Sequence, residues 1–496
     1  MTARGALPQD GTASMAGAVP STPLTRRGRR ATALAVVFVV AFLVRSLYAL
    51  VLASAMYTPW QPGTRMAWRY DDTAVAILAG EGILWPRSPD PARTGLLARP
   101  PGYGIFLAAV YSALGRSFFV AQLVQNALTS LACVLLVLVA ARLVDWRTGL
   151  VAGIVAALSP HLGFSSNLVL PDALSALPLV AALLALARAH PDRTASPWWS
   201  VLAGGLIGIG VWLRPNVVLL APFLGVALVL LSRERRRAVL HAAALCLAAA
   251  ALVLPITLRN YVIFREFVPV SINGGLPFWH GVVDAGGEAA GARRRDKHVM
   301  EEEAVRYGNP RYREWWAEPD GIWRDRDRFR RAREVIRAHP VLYARVMVGR
   351  MTAMLHYGSG EAPTVAGSDI PPRPDRAEDE EGSSRSHDLE RRPSDDLLLL
   401  PGRAAWPLEP LVIGLQAVLV HALLPLVVLG TVVLWGRDWR RTALLLAIPV
   451  YYLLSESFFI FEWRVVTPMH YGLFVAAATG GLLLWDVAAA RLRRQR

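Results

Sequence analysis

The chain has 496 residues, 54% of them hydrophobic, and a formal net charge of +15 carried almost wholly by arginine, with Lys297 the sole lysine. Apolar runs long enough to cross a hydrocarbon core of roughly 30 Å as helices recur along it, which excludes a water-soluble globular domain. The arginines gather at the ends of those runs, so the charge marks membrane orientation and not a nucleic-acid surface. The sequence has no nucleotide-binding glycine loop, His-Glu-x-x-His, Cys-x-x-Cys or internal repeat. Cys133 and Cys246 both fall inside apolar runs, where they pack as small hydrophobes and imply neither a disulfide framework nor a metal site.

Residues 1–25 are rich in Ala, Gly, Thr, Pro and Ser, and a disordered cytoplasmic N-terminus is expected over residues 1–30. Arg26-Arg27-Gly28-Arg29-Arg30 then precedes the apolar run Ala31–Ser54. That run is too long for a signal-peptide core and no clear cleavage site follows, so it reads as a retained first span entering from the cytoplasm. The first outer loop, residues 55–116, carries Tyr70-Asp71-Asp72 and, after a proline-studded stretch, Ala98-Arg99-Pro100-Pro101-Gly102-Tyr103. Over Gly102–Leu114, Tyr103, Phe106, Leu107, Val110, Tyr111 and Leu114 share one helical face. Such a helix is about 20 Å long, too short to cross, so it is expected to lie in the interface.

With that helix outside, the further spans fall at 117–141, 149–168, 173–190, 199–213, 215–232, 238–257, 407–434, 441–459 and 465–487. Every short basic turn (Arg142 and Arg147, Arg188 and Arg193, Arg233 to Arg237, Arg437 to Arg441, and the tail 491–496) then lands on the cytoplasmic side. The expected fold is an all-α polytopic bundle of about ten transmembrane helices with both termini inside. Its parts are a transmembrane module at 31–257, an extracytoplasmic segment at 258–406, C-terminal transmembrane helices at 407–490 and a basic tail. Within the outer segment Pro340–Leu355 is expected as an interfacial helix. Residues 361–400, rich in Pro, Ser, Asp, Glu and Arg, are expected to be a disordered insertion.

Seven charged side chains collect on the outer side: Asp71, Asp72, Arg99, Asp172, Arg214, Arg259 and Arg464. Singly, each has an ordinary explanation. Asp172 suits the start of a helix after Pro171, Arg214 and Arg464 suit snorkelling span ends, and Arg99 suits a nonspecific contact with a headgroup phosphate. Together, carboxylates and guanidiniums at one interface suit a lipid-linked anionic substrate.

These residues also carry a resemblance. Asp71-Asp72 in the first outer loop, Arg99-Pro100-Pro101-Gly102-Tyr103 opening an interfacial helix, Leu170-Pro171-Asp172, Gly208-Ile209-Gly210-Val211-Trp212-Leu213-Arg214-Pro215 and Arg259-Asn260-Tyr261 follow in an order that resembles the GT-C membrane glycosyltransferases. The similarity is to the family 39-like branch that includes lipid A aminoarabinose transferases and is akin to protein O-mannosyltransferases. It covers about residues 31–281, with a weaker echo at Glu462-Trp463-Arg464. It implies transfer of a sugar from a polyprenyl-phosphate donor to a lipid, glycan or protein acceptor, with inversion, at the outer face of a bacterial inner membrane.

By that resemblance Asp71 is the catalytic base, with Asp72 and Asp172 completing the acidic set and Asp172 orienting acceptor or sugar. Arg99, Arg259 and Arg214 bind the donor phosphate, and Tyr103, Tyr261, Asn273 and Arg464 contact substrate. Two departures limit the carry-over. Ala74 and Val75 follow Asp71-Asp72-Thr73, and Ala98 stands where aminoarabinose transferases carry a Glu. Their metal site, sugar and lipid A acceptor are therefore not assigned, and no cofactor is. The competing expectations are a polyprenyl-linked lipid or glycan transporter, which calls for charges within spans and paired broken helices, and a non-catalytic envelope-assembly protein.

Overall fold

In the computed structural model the described residues are 23–56, 62–81, 97–189, 196–272, 274–284, 296–313, 321–357, 409–459 and 462–495, and among them every regular element is helical. The first, α1 (Pro23–Met56), opens on a proline, whose missing N–H costs nothing at a helix start. Residues 23–30 are therefore helical, against the expectation of disorder up to 30, while residues 1–22 lie outside the described set. The segment expected as the first outer loop holds α2 (Pro62–Leu78) and α3 (Gly102–Leu114), so Asp71 and Asp72 stand within a helix.

The bundle continues through α4 (Phe118–Leu143), α5 (Trp146–Leu158), α6 (Pro160–Ser165), α7 (Pro171–Arg188), α8 (Trp198–Leu213), α9 (Leu220–Leu231) and α10 (Arg235–Phe264). Ser117 and Asp145 cap α4 and α5, accepting from the N–H groups of Val120 and Thr148. The group expected on the outer side follows: α11 (Gly275–Asp284), α12 (Asp296–Arg306), α13 (Gly321–Ala338) and α14 (Pro340–Leu355). The insertion expected at 361–400 lies outside the described residues. The chain then closes with α15 (Glu409–Phe458), bent where Asp438 leaves helical geometry (φ −158°, ψ 92°), and α16 (Thr467–Arg494).

Among the described residues six helices (α1, α4, α7, α10, α15 and α16) are long and apolar enough to cross a membrane, and α5, α8 and α9 are shorter apolar helices. Counting α15 as two arms about Asp438, these segments stand where the ten spans are expected. α15 packs on α16, α8 on α10 and α7, and α4 among α1, α5 and α7. Small residues allow the closest crossing: a Cβ on Gly430 would lie 1.8 Å from the Ala476 carbonyl oxygen, and one on Gly480 2.4 Å from that of Leu426.

The span expected at 149–168 is broken. Ser159, pushed out of the helical region by the following proline, has φ −58° and ψ 119°. Pro160 offers no N–H, so the Ala156 carbonyl loses its helical donor. In lipid such a group needs another partner, and Arg45 of α1, fully buried, supplies it. Its Nη2 reaches the Ala156 oxygen and Cys133 Sγ (3.4 and 3.3 Å), and its Nη1 the oxygens of Ala157 and Ala41 (3.4 and 3.2 Å). This guanidinium lies inside a span, so the outer charges are not the only ones in the bundle.

The outer group is built around paired charge. Glu303 is 1% exposed and takes bonds from Arg324, Arg328 and Arg331, each at 2.8–2.9 Å. Burial raises its pKa, but Arg328 and Arg324 outweigh burial and hold it below the usual value. Asp325 is the opposite case: its Oδ1 accepts the Gly275 N–H at 2.7 Å, yet burial pushes its pKa up to about 7.

Two outcomes follow. Arg45→Met lowers the thermal midpoint in detergent. The loss is smaller when an N–H is restored by Pro160→Ala, a coupling of at least about 0.5 kcal/mol in a double-mutant cycle. For Asp325 the folded pKa exceeds the unfolded one, so the native state holds the extra proton between them and ionisation costs stability as pH rises. Asp325→Asn keeps an acceptor for Gly275. Its midpoint exceeds that of wild type by a gap that opens above about pH 4 and levels off above about pH 7.

Candidate active site

The site is organised by a polar stripe on an otherwise apolar helix. Gln122, Gln125, Asn126 and Thr129 follow helical spacing on α4 and are buried. Gln125 Nε2 donates to the oxygens of Ser166 and Leu168, both at 2.8 Å; Gln122 Nε2 donates to the Asn167 oxygen at 2.7 Å; Asn126 Nδ2 donates to Asn167 Oδ1 at 2.9 Å. Asn167 Nδ2 in turn donates to the oxygens of Arg45 and Gly163, at 2.9 and 2.7 Å. The turn after α6 is thereby fixed, and with it the start of α7, where Asp172 stands.

Asp172 does not cap α7; the cap position is Leu170, without a side-chain bond. Its carboxylate is 1% exposed, with Oδ1 held by Arg214 Nη2 and Oδ2 buried without a partner among the described residues. The first turn of α3 is wedged between α2 and the end of α8. A Cβ on Gly104 would meet Thr73 Cγ2 at 2.6 Å, and one on Gly102 the Trp212 oxygen at 2.4 Å. Glycine is therefore required where Arg99-Pro100-Pro101-Gly102 abuts the helix that ends at Arg214. Tyr103 fills the centre: its hydroxyl donates to Gln125 Oε1 at 2.7 Å and its ring meets Tyr70 edge-on at 5.0 Å. The Arg99 guanidinium lies 4.7 Å over the Tyr70 ring.

Arg464 joins from the loop before α16, its Nη2 and Nε 2.7 and 2.8 Å from Glu462 Oε2. Burial lowers the Arg99 pKa, and the like charges of Arg69, Arg214 and Arg464 add to that shift against the opposing influence of Tyr70. Arg464 in turn, with Arg214 assisting, holds the half-exposed Glu462 below the usual carboxylate range. Asn216 Nδ2 donates to the buried Glu456 Oε1 at 2.8 Å, and Tyr451 bonds the Asn216 carbonyl.

Asp71 sits on the other side of α3. It is 1% exposed and accepts from Tyr111 (2.9 Å) and from Arg116 Nε (3.2 Å) and Nη2 (2.5 Å). Arg116 is turned back toward α2 by Gly115, whose φ of 85° ends α3. Asp72 is exposed. Arg259 is buried and bonds Asn260 Oδ1 through Nε and Nη2 (2.9 and 2.6 Å). Asn260 Nδ2 holds the oxygens of Val268 and Val270 (2.8 and 3.2 Å), and the Ile272 N–H reaches the Leu97 oxygen at 3.1 Å. The segment after α10 is thus tied to the Arg99 turn.

Of the residues singled out in the sequence, Arg99, Tyr103, Asp172, Arg214 and Arg464 come together, with Asp71 next to them across α3. Arg259 approaches through the Ile272–Leu97 contact. Tyr261 is 51% exposed on α10 and has no described bond to this set, and Asn273 lies outside the described residues. The α4 stripe, Arg116, Asn216 and Glu456 were not singled out. The stripe's helical spacing was a usable signal; the other three find partners too far away in sequence to show one. Among the described residues no group of three or more His, Cys, Asp or Glu is placed to hold a metal ion.

Fold and sequence together define an all-α polytopic membrane protein with the GT-C glycosyltransferase fold. The family model described as dolichyl-phosphate-mannose-protein mannosyltransferase matches residues 98–260, about a third of the chain and the part holding most of the site. No curated protein matches. Among solved structures, the fold is similar to archaeal oligosaccharyltransferase AglB from Archaeoglobus fulgidus, solved with an inhibitory peptide and dolichol-phosphate. The TM-score is 0.52 and the identity 14%, over 95% of this chain and 52% of that one. The chain thus spans about half the length of the archaeal enzyme. A looser likeness, to ArnT from Cupriavidus metallidurans bound to undecaprenyl phosphate, has a TM-score of 0.36 and 15% identity over 91% of this chain and 77% of that one.

Proposed function

We propose that the protein transfers a monosaccharide from a polyprenyl-phosphate donor to an acceptor hydroxyl on the extracytoplasmic face of a bacterial inner membrane, with inversion. The observation that carries this reading is the part-buried Asp172–Arg214 pair with Arg99 and Arg464 in its field, inside a GT-C fold. That the structure of the archaeal relative of like fold contains dolichol-phosphate agrees with a lipid-phosphate donor.

The chemistry suits this set. A polyprenyl phosphate leaves as a stable anion, so the reaction needs positive charge where negative charge grows more than it needs a strong acid. Arg99, with Arg214 and Arg259, presents planar forks that match phosphate oxygens. The tyrosine wall of Tyr70 and Tyr103 keeps water from the charges, and Arg464 faces the same space. A carboxylate then takes the acceptor proton as its oxygen attacks the anomeric carbon. Asp71 fills that role, and the side chain of its partner Arg116 is 56% exposed, leaving it room to yield to an acceptor.

One observation favours a second assignment of the base. Asp71 is bonded at both oxygens, whereas Asp172 Oδ2 is buried with no partner among the described residues. A carboxylate oxygen in that state costs free energy unless a ligand hydroxyl meets it.

The test is sugar transfer in lipid nanodiscs by folded Asp71→Asn and Asp172→Asn variants. Loss of about 10²–10⁴-fold is expected for the variant lacking the base. If Asp71→Asn keeps the wild-type rate and Asp172→Asn does not, the base is Asp172; if both keep it, the transferase reading fails. Arg99→Ala is expected to weaken polyprenyl-phosphate binding by about 10–100-fold, the worth of a charge-assisted bond. Unchanged binding removes Arg99 from the phosphate site.

A further inference from the structure

We infer that the end of the bundle opposite the candidate active site binds the headgroup of a dianionic phospholipid. Asp172 and Arg188 mark the two ends of α7, about 24 Å apart at 1.5 Å per residue. Around Arg188 converge Arg142 from the end of α4, Arg233 from the turn between α9 and α10, and Arg437, Arg440 and Arg441 from the bend in α15. Together they line a cavity of about 740 Å³.

The lining is unbalanced. Among the described residues six guanidiniums and one carboxylate, Asp438, line the cavity. That carboxylate is committed to Arg441, pairing with its Nε at 3.1 Å and accepting its backbone N–H at 3.1 Å. A cluster of one sign at the end of the bundle attracts an anion.

The guanidiniums are also held in position. Arg142 Nε donates to the Ala187 oxygen at 3.0 Å, Arg188 lies 5.0 Å over the Trp199 ring and Arg440 5.3 Å over the Trp439 ring. Side chains already ordered lose little entropy when an anion arrives. Phosphate oxygens are the matching acceptors for such forks.

Two features select a lipid over a soluble phosphate. Leu138, Leu143 and Leu184 give the lining an apolar part, a surface that accepts an acyl chain and gives a free anion nothing. Beside it, Trp435 and Trp439 are 52% and 43% exposed on α15, in keeping with an aromatic belt at the membrane–water interface. A basic pocket between transmembrane helices suits a headgroup with two phosphodiesters, as in cardiolipin. None of this depends on sugar transfer.

Native mass spectrometry of the full-length protein, titrated with cardiolipin or phosphatidylcholine and with or without inorganic pyrophosphate, tests the site. Cardiolipin is expected to stay bound where phosphatidylcholine dissociates. Binding should weaken about fivefold for each arginine removed, hence roughly 25-fold in Arg188→Gln/Arg440→Gln, and stay unchanged in Arg491→Gln, outside the cavity. Equal cardiolipin retention in wild type and the double variant overturns the site, and displacement by pyrophosphate at matching concentration overturns its assignment to lipid. Should the double variant fail to fold, Arg233→Gln, in an exposed turn, carries the same test: about fivefold weaker binding supports the site, and no change overturns it.

Discussion

Inside a membrane every backbone polar group needs a partner within the protein, and the end of this molecule that holds the candidate site is an answer to that constraint. Chain that binds a substrate cannot be uninterrupted helix, yet irregular chain exposes carbonyls. Here the interrupted stretch from Ala156 to Leu170 is held by Gln122, Gln125 and Asn126 of α4 from one side and Arg45 of α1 from the other. The side chains that appear out of place in apolar helices are the ones that permit the break. Asp172 owes its position to them.

The same device recurs at the far end of the outer group. Arg350 of α14 is buried and donates to the carbonyls of Ser457 and Phe459 at 3.0 and 2.7 Å, and to that of Gly281. It caps the carbonyls at the end of α15 and joins α14, α11 and the loop that carries Glu462 and Arg464. Tyr343, seven residues earlier and so on the same helix face, binds the Phe458 carbonyl. Arginine in this chain thus does three separate jobs: it marks the ends of spans, it faces the acidic residues of the site, and it caps broken backbone.

That division explains what the sequence made legible. Apolar length and the placement of basic turns located the helices, because both are local properties read directly by hydropathy and charge. The bounds of α3 and α14 could be read for the same reason. The outer acids and guanidiniums were visible because they interrupt apolar runs at their ends. Arg45, Glu456 and Arg116 were not, since their meaning lies in partners 112, 240 and 45 residues away. No period of 3.6 encodes such a pairing. The α4 stripe is the instructive middle case: its spacing is helical and its polarity plain, but an overall apolar composition hid it within a span.

The arrangement of the two buried aspartates follows from the helices that carry them. Asp71 stands within α2, a short amphipathic helix at the margin, and is neutralised by Arg116 from an exposed turn. Asp172 stands in the first turn of α7, where the helix dipole favours a negative charge, and its partner Arg214 leaves one oxygen unmet. One carboxylate is therefore held by a largely exposed partner, the other by a partner whose side chain is mostly covered. The proposed transfer, which admits a lipid phosphate and then a second substrate, would use both kinds: a fixed acid beside guanidiniums at the donor end, and a releasable one on the side from which the acceptor comes.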